Sequence, residues 1–215
     1  MKVIDLTQKI CNDMPVFSEE EVPELKIVNT VNKDEYMMTC IKIYSHNGTH
    51  MDAPAHVIDD GITLDKISIE NFIGSAVVID CRSIKEKKEK VIDYTYIENN
   101  KENVDKAEFI IFNTGYSKLW GKKEYFEDCP VLSKEVADYI VKKRKKGVGV
   151  DLMSLDEINS NTLPIHKLLL ENNVLIVENL TNLDEIKNEI FIFSAMPLKY
   201  QNADGAPVRA LAQII

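Results

Sequence analysis

Three of the four histidines of this 215-residue chain fall in one eleven-residue stretch, His46-Asn47-Gly48-Thr49-His50-Met51-Asp52-Ala53-Pro54-Ala55-His56, with an aspartate between the second and the third. Four histidines scattered at random would rarely cluster in this way. Imidazole and carboxylate are the usual protein ligands of divalent transition metals, so the stretch reads as the kernel of a metal site. It also restricts the backbone. Asn47, Gly48, Thr49 and Pro54 all disfavour a plain helix. A straight strand, at about 3.3 Å per residue, would hold His46 and His50 about 13 Å apart, too far to share one ion. The chain must bend, and Gly48 is the residue that tolerates a bend. So bent, His46, His50 and Asp52 can face one metal. Beyond Pro54, His56 returns either as a further ligand or as a free base.

Other ligands must come from far along the chain. His166, the remaining histidine, lies on a short helix expected after Pro164. Twelve residues later Glu178 ends the apolar run Val174-Leu175-Ile176-Val177. Open α/β sheets place active groups at the C-terminal ends of their strands. A carboxylate there is costly to bury unless it is paired or bound to a cation; a hydrated residue at the sheet rim is the other reading. Asp151 ends the preceding apolar run in the same way.

The rest of the chain reads as a single α/β domain over residues 1–215. β-rich apolar runs predict strands at 3–6, 25–31, 37–44, 75–80, 109–112, 148–152, 174–178, 190–193 and 208–215. Ser133 is placed to cap a helix running to about Lys145, with Gly147 stopping it. Shorter helices are expected over 67–73, 95–99 and 164–172. Pro15 keeps 13–17 a loop. Glu19, Glu20, Glu21 and Glu24 read as a solvated loop, and the KEKKEK run at 85–90 as a solvated turn. Met37-Met38 reads as core filling, Gly205 with Pro207 as a turn before the last strand, and Arg209 as a partner for a carboxylate such as Asp204. Tyr116 and Trp120 read equally as core or as pocket lining.

Composition excludes some functions. A net charge of −9 argues against a nucleic-acid surface, which needs excess Lys and Arg. Cys11, Cys40, Cys81 and Cys129 are far apart, without CxxC spacing, and imply no disulfide framework. The opening MKVIDLTQKI lacks an apolar core of signal-peptide length, and no run approaches the roughly 20 apolar residues of a membrane span. A cytoplasmic protein is expected, acting on a small molecule, with neither nucleic acid nor membrane as partner.

The pattern His46-xxx-His50-x-Asp52-xxx-His56, with Gly48-Thr49 and Pro54 inside it, resembles the motif of the bacterial cyclase family of metal-dependent hydrolases, which includes kynurenine formamidase and isatin hydrolase. Further segments carry the likeness along nearly the whole chain: Asp5-Leu6-Thr7, Met14-Pro15-Val16, Thr114-Gly115-Tyr116-Ser117, Glu178-Asn179-Leu180 and Ala206-Pro207-Val208-Arg209-Ala210. The resemblance implies the swivelling β/β/α fold of that family, as a homodimer or larger oligomer. It implies two divalent metal ions, zinc by first choice and manganese on the same ligands. His46, His50 and Asp52 would hold the first; Asp52 would bridge to a second, held also by His166 and Glu178. His56 would be left to move protons. Phe17 stands at the family's substrate-contacting aromatic position, followed by Ser18-Glu19-Glu20 where the formamidases usually carry Trp or Tyr and then Pro-Gly-Asp. Phe17 can stack on an aromatic substrate but has no N–H or O–H to donate.

The activity so implied is hydrolysis of a small amide, of the arylformamidase type, with N-formylkynurenine giving formate and kynurenine. A cyclic amide or lactone fits the same machinery. Two rival readings use the same residues. His50, Asp52 and His166 also make the two-histidine, one-carboxylate set of iron oxygenases, which leaves His46, His56 and Glu178 without a task. A non-catalytic member would use its metal structurally or bind a ligand without turnover. Structural zinc is normally closed by four ligands, often with Cys among them, and no Cys lies near this stretch.

Overall fold

The computed structural model describes every residue except 87, 88, 188 and 215. The described residues form twelve strands: β1 (Lys2–Asp5), β2 (Glu24–Asn29), β3 (Met38–Lys42), β4 (His50–Asp52), β5 (Ile73–Asp80), β6 (Val91–Ile92), β7 (Phe109–Asn113), β8 (Val131–Leu132), β9 (Gly147–Val150), β10 (Leu175–Glu178), β11 (Phe191–Pro197) and β12 (Gly205–Ile214). The α-helices are α1 (Val31–Asp34), α2 (Ser83–Glu86), α3 (Tyr94–Glu98), α4 (Lys101–Lys106), α5 (Lys134–Lys142) and α6 (Pro164–Glu171).

The main sheet closes on itself. It runs β12-β11-β5-β7-β9-β10-β4, and β4 pairs back onto β12. From β5 to β10 the strands are parallel; β4, β11 and β12 join antiparallel. β12 is long enough to take two partners on one edge, β4 at 205–207 and β1 at 211–214. This is the expected α/β architecture, with the sheet rolled into a barrel.

Alternation along the strands sorts the apolar residues into two cores. Ala76, Val78, Phe109, Ile111, Leu175, Val177 and Met51 point into the barrel. Val77, Ile79, Ile110, Phe112, Val148, Val150 and Ile176 point outward against Val136 and Ile140 of α5 and Leu169 and Leu170 of α6. Both faces being covered explains the unbroken apolar runs of β5 and β7. Small residues offset large ones inside, as expected of a narrow barrel. A Cβ on Gly149 would come within 2.8 Å of Leu180, and one on Gly147 within 2.8 Å of Phe109.

Several expectations are corrected. Helix α5 is capped by the Ser133 side chain, which accepts from Val136 N, but ends at Lys142. The chain turns at Arg144 (φ 53), and Gly147 instead begins β9. Lys145 leaves the helix to donate from Nζ to the carbonyls of Val104 (2.5 Å) and Ala107 (2.5 Å), at the end of α4. The region 67–73 holds only a 3-10 turn, Ile69–Phe72, before β5. Gly205 and Pro207 lie within β12 rather than in a turn, because β4 needs them as pairing partners. Arg209 pairs with Asp5, not Asp204. β2 and β3 form a separate hairpin outside the barrel, on which Met37 and Met38 are 60% and 46% exposed, so they fill no core. Tyr116 packs in the outer core and Trp120 lies against Tyr125; neither lines the site described next. Of the KEKKEK run, residues 87 and 88 lie outside the described residues, as does residue 215 of the last predicted strand.

Candidate metal centre

The outward face of β4 carries the site. Met51 points into the barrel, so His50 and Asp52 point the other way, toward α6. Antiparallel pairing sets Glu178, at the end of β10, directly opposite His50, and His50 Nε2 lies 3.5 Å from Glu178 Oε2. Gly48 makes the bend at φ +66°. It brings the His46 ring to 5.0 Å from that of His50, centroid to centroid, and Nδ1 of His46 to 2.8 Å from Asp52 Oδ1. The bend is pinned from behind. Asn179 Nδ2 donates to Gly48 O at 2.9 Å, and Thr49 Oγ1 donates to Asn179 O at 2.7 Å.

His166 arrives from the first turn of α6. Asp156 accepts from the backbone N–H groups of Ile165 and His166, both at 3.0 Å, and so caps this helix from outside it. Oδ2 of the same carboxylate lies 2.7 Å from His166 Nδ1. The opposite ring nitrogen, Nε2, is thereby aimed at Glu178 Oε1 (3.1 Å) and toward Asp52 Oδ2 (3.8 Å).

Five of the residues singled out in the sequence therefore converge. They form two overlapping groups, His46-His50-Asp52 and Asp52-His166-Glu178, each with candidate donor atoms within 4.8 Å of one another. Asp52 belongs to both. Its Oδ1 faces His46 and His50, while its Oδ2 is buried with no hydrogen-bond partner among the described residues. An orphaned carboxylate oxygen beside imidazoles and a second carboxylate fits divalent metal ions, because burying it otherwise costs free energy without return. The donor set fits the expected pair.

The electrostatics agree. Burial alone would lower the pKa of the histidines, yet Asp204 and Asp52 raise that of His46 to about 9. Against the same burial, Asp52 and Glu178 raise that of His50 to about 10. Asp156 and Glu178 do likewise for His166, also to about 10. Conversely, burial would raise the Asp52 carboxyl, but His50 and His46 hold it well below the carboxylate range.

His56 differs. It ends the 3-10 turn Pro54–His56, with its ring 4.0 Å from that of His46. Burial, opposed by Asp52 and aided by His46 and His166, holds its pKa below the ordinary value of 6.5. It faces a cavity of about 390 Å³ whose walls include Phe17, Tyr44, Met153 and Leu163 and whose inner lining is His50, His166 and Glu178. Phe17 is 59% exposed and stands at the rim. Asp151 does not take part. It is fully buried and accepts from Thr114 N (2.8 Å), Thr114 Oγ1 (2.7 Å) and Gly115 N (2.8 Å), a structural anchor between strand ends.

Sequence reasoning gives Asp156, Asp204, Gly205 and Asn179 no role at this site. Asp156 and Asp204 carry no motif; Asp156 faces a ring nitrogen of His166 ten residues on, and Asp204 one of His46 far away in sequence. A Cβ on Gly205 would lie 2.5 Å from His46 Cε1.

The chain is similar to known proteins along nearly its whole length. A family profile described as putative cyclase matches residues 4–157. An uncharacterized protein of Methanocaldococcus jannaschii is 33% identical, with 99% of each chain covered. The kynurenine formamidase of Bacillus anthracis is 28% identical over 100% of this chain and 98% of its own. Among solved structures, isatin hydrolase A from Ralstonia solanacearum superposes with a TM-score of 0.86 at 24% identity, covering 98% of this chain and 91% of that one, a likeness of fold.

Proposed function

The chain belongs to the cyclase family of metal-dependent hydrolases, and from that premise we propose that it hydrolyses a small aryl amide of the N-formylkynurenine type. The observation that carries this reading is the orphaned Asp52 Oδ2 between two groups of ligands, next to a histidine that neither group uses. His46, His50 and Asp52 would hold one metal ion, and Asp52, His166 and Glu178 the other. Zinc suits three imidazoles and two carboxylates, and manganese accepts the same set. When bound, such ions supply Lewis acidity toward the amide oxygen and a water whose pKa falls from 15.7 to about 7.

The chain's own groups do the rest. Phe17, Tyr44, Met153 and Leu163 give an apolar wall against which an aryl ring can stack. Phe17 contributes a stacking face only. His56, neutral near pH 7 because its pKa is depressed, accepts a proton from the attacking water and passes it to the departing nitrogen. The carbonyl carbon gains OH, the nitrogen gains H, and the C–N bond breaks; a formanilide yields formate and an arylamine.

We also read the protein as a homo-oligomer. On the β2-β3 hairpin Ile27 and Ile41 share one face and are both exposed, and exposed apolar residues clustered in this way mark association sites. Sedimentation velocity giving a monomer at all concentrations would refute that part.

The activity is tested by incubating zinc-loaded protein with N-formylkynurenine and, separately, with isatin, under nitrogen. Formate release from the first supports the reading, whereas opening of isatin alone moves the assignment to a cyclic amide. A strict requirement for iron and oxygen would replace it with an oxygenase.

A further inference from the structure

We propose that Asp204 is a positioning residue of this site, a single carboxylate that orients the metal-facing ring of His46 and stands within reach of the proton-carrying ring of His56 beside it. The inference deepens the hydrolase reading and rests on it for its kinetic consequence.

Each of the three candidate histidine ligands has its outward nitrogen occupied. For His50 the partner is Gly48 O, 2.9 Å from Nδ1. For His166 it is Asp156 Oδ2, 2.7 Å from Nδ1. For His46 it is Asp204 Oδ2, 3.0 Å from Nε2, which leaves Nδ1 directed at Asp52. An N–H donated to a carboxylate or carbonyl in this way fixes the tautomer and the ring orientation of a metal-binding histidine. His46 is thus expected to use Nδ1 toward metal, the reverse of His50 and His166.

Asp204 does something the other two partners do not. The same Oδ2 lies 3.9 Å from His56 Nδ1, and the two rings it faces are 4.0 Å apart. A small approach of His56 during turnover would close a hydrogen bond to Nδ1 and leave Nε2 free toward the cavity. Asp204 is itself held. Ser45 Oγ donates to Oδ2 at 3.3 Å, and Tyr200, bonded through its hydroxyl to Gly205 O, lies 3.5 Å from Oδ1. Gly205 completes the seat, since the His46 ring occupies the space a Cβ would fill. The backbone carbonyl of Asp204 accepts from Ala53 N at 2.9 Å, so the tie to β4 survives a side-chain change.

The test compares Asp204→Ala and Asp204→Asn with the unaltered chain, using zinc-loaded protein. Chelator competition is expected to show one zinc equivalent weakened about 10–100-fold in Asp204→Ala, the other changed by less than about twofold, and most of the loss restored by the amide acceptor in Asp204→Asn. In ¹H–¹⁵N spectra the protected Nε2–H of His46 should vanish in Asp204→Ala and persist in Asp204→Asn. With amide substrate, kcat should fall while KM holds. Unchanged zinc affinity with the Nε2–H signal intact would overturn the proposal. So would a third zinc equivalent abolished by Asp204→Ala, which would give His46, His56 and Asp204 a metal of their own. If the unaltered protein hydrolyses no amide, the functional reading fails, and the affinity and spectral results still decide the role of Asp204.

Discussion

Oδ2 of Asp52 and Nε2 of His166 face each other across 3.8 Å, both buried, too far apart to share a hydrogen bond. Asp52 Oδ1 meanwhile lies 2.8 Å from His46 Nδ1 and 3.3 Å from His50 Nε2. One carboxylate therefore divides itself between two clusters of candidate ligands, and much of the site's behaviour depends on it.

Removing that charge should destabilise the protein even without metal. Asp52→Asn removes the main counter-charge of buried His50 and one of the two that face His46, a loss of about 3–5 kcal/mol on the scale of broken buried ion pairs. Chemical denaturation of the metal-free variant checks this. A midpoint equal to that of the unaltered protein would show that the imidazoles do not carry the charge assigned to them.

The same groups set a pH dependence whose sign is fixed. His46, His50 and His166 have folded pKa values of about 9, 10 and 10, raised above 6.5. Their contribution is complete below about 6.5 and disappears as pH rises through about 9 to 10. Asp52 and Glu178 are depressed, so theirs is present above about 4.5 and disappears on acidification. Metal-free protein should therefore melt highest between these limits and lose Tm toward pH 10. Metal must displace the protons, so calorimetry near neutral pH in buffers of different ionisation enthalpy should reveal proton release on binding. Binding without proton release would contradict these assignments.

His56→Ala should keep its full metal content and lose roughly 10²–10⁴-fold in turnover, the usual worth of a positioned acid–base group. Loss of metal with turnover intact would make His56 a ligand instead.

Gly205→Ala places a methyl group 2.5 Å from His46 Cε1. The ring is pinned at both nitrogens and cannot swing away cheaply. Overpacking of this kind costs about 1–3 kcal/mol. It should also weaken the metal held by His46, measurable by chelator competition. An unchanged affinity would mean that the ring moves freely.

Much of the site was legible in the sequence because short spacing restricts geometry. The eleven-residue histidine stretch required a bend, and Gly48 supplies it. Glu178 was legible as a strand-end carboxylate, but Asp151, equal in sequence context, became a structural anchor because the Thr114 loop satisfies it. Only tertiary pairing tells the two apart. The buried runs of β5, β7 and β10 declared themselves as strands, whereas barrel closure did not, since it depends on β4 and β12 meeting across a long stretch of sequence. Asp204 was misread for a related reason. Arg209 offered a charge nearby in sequence, but the β1-β12 pairing sets Asp5 opposite Leu211, two residues beyond Arg209, and Asp5 takes the guanidinium.

The most direct test of the account is the metal stoichiometry of protein loaded with excess zinc at mildly alkaline pH and then dialysed. Two equivalents per chain are predicted, falling to one when His166→Ala removes a ligand from the Asp52-Glu178 side. One equivalent in both proteins would contradict the shared role of Asp52 and with it the paired metal centre.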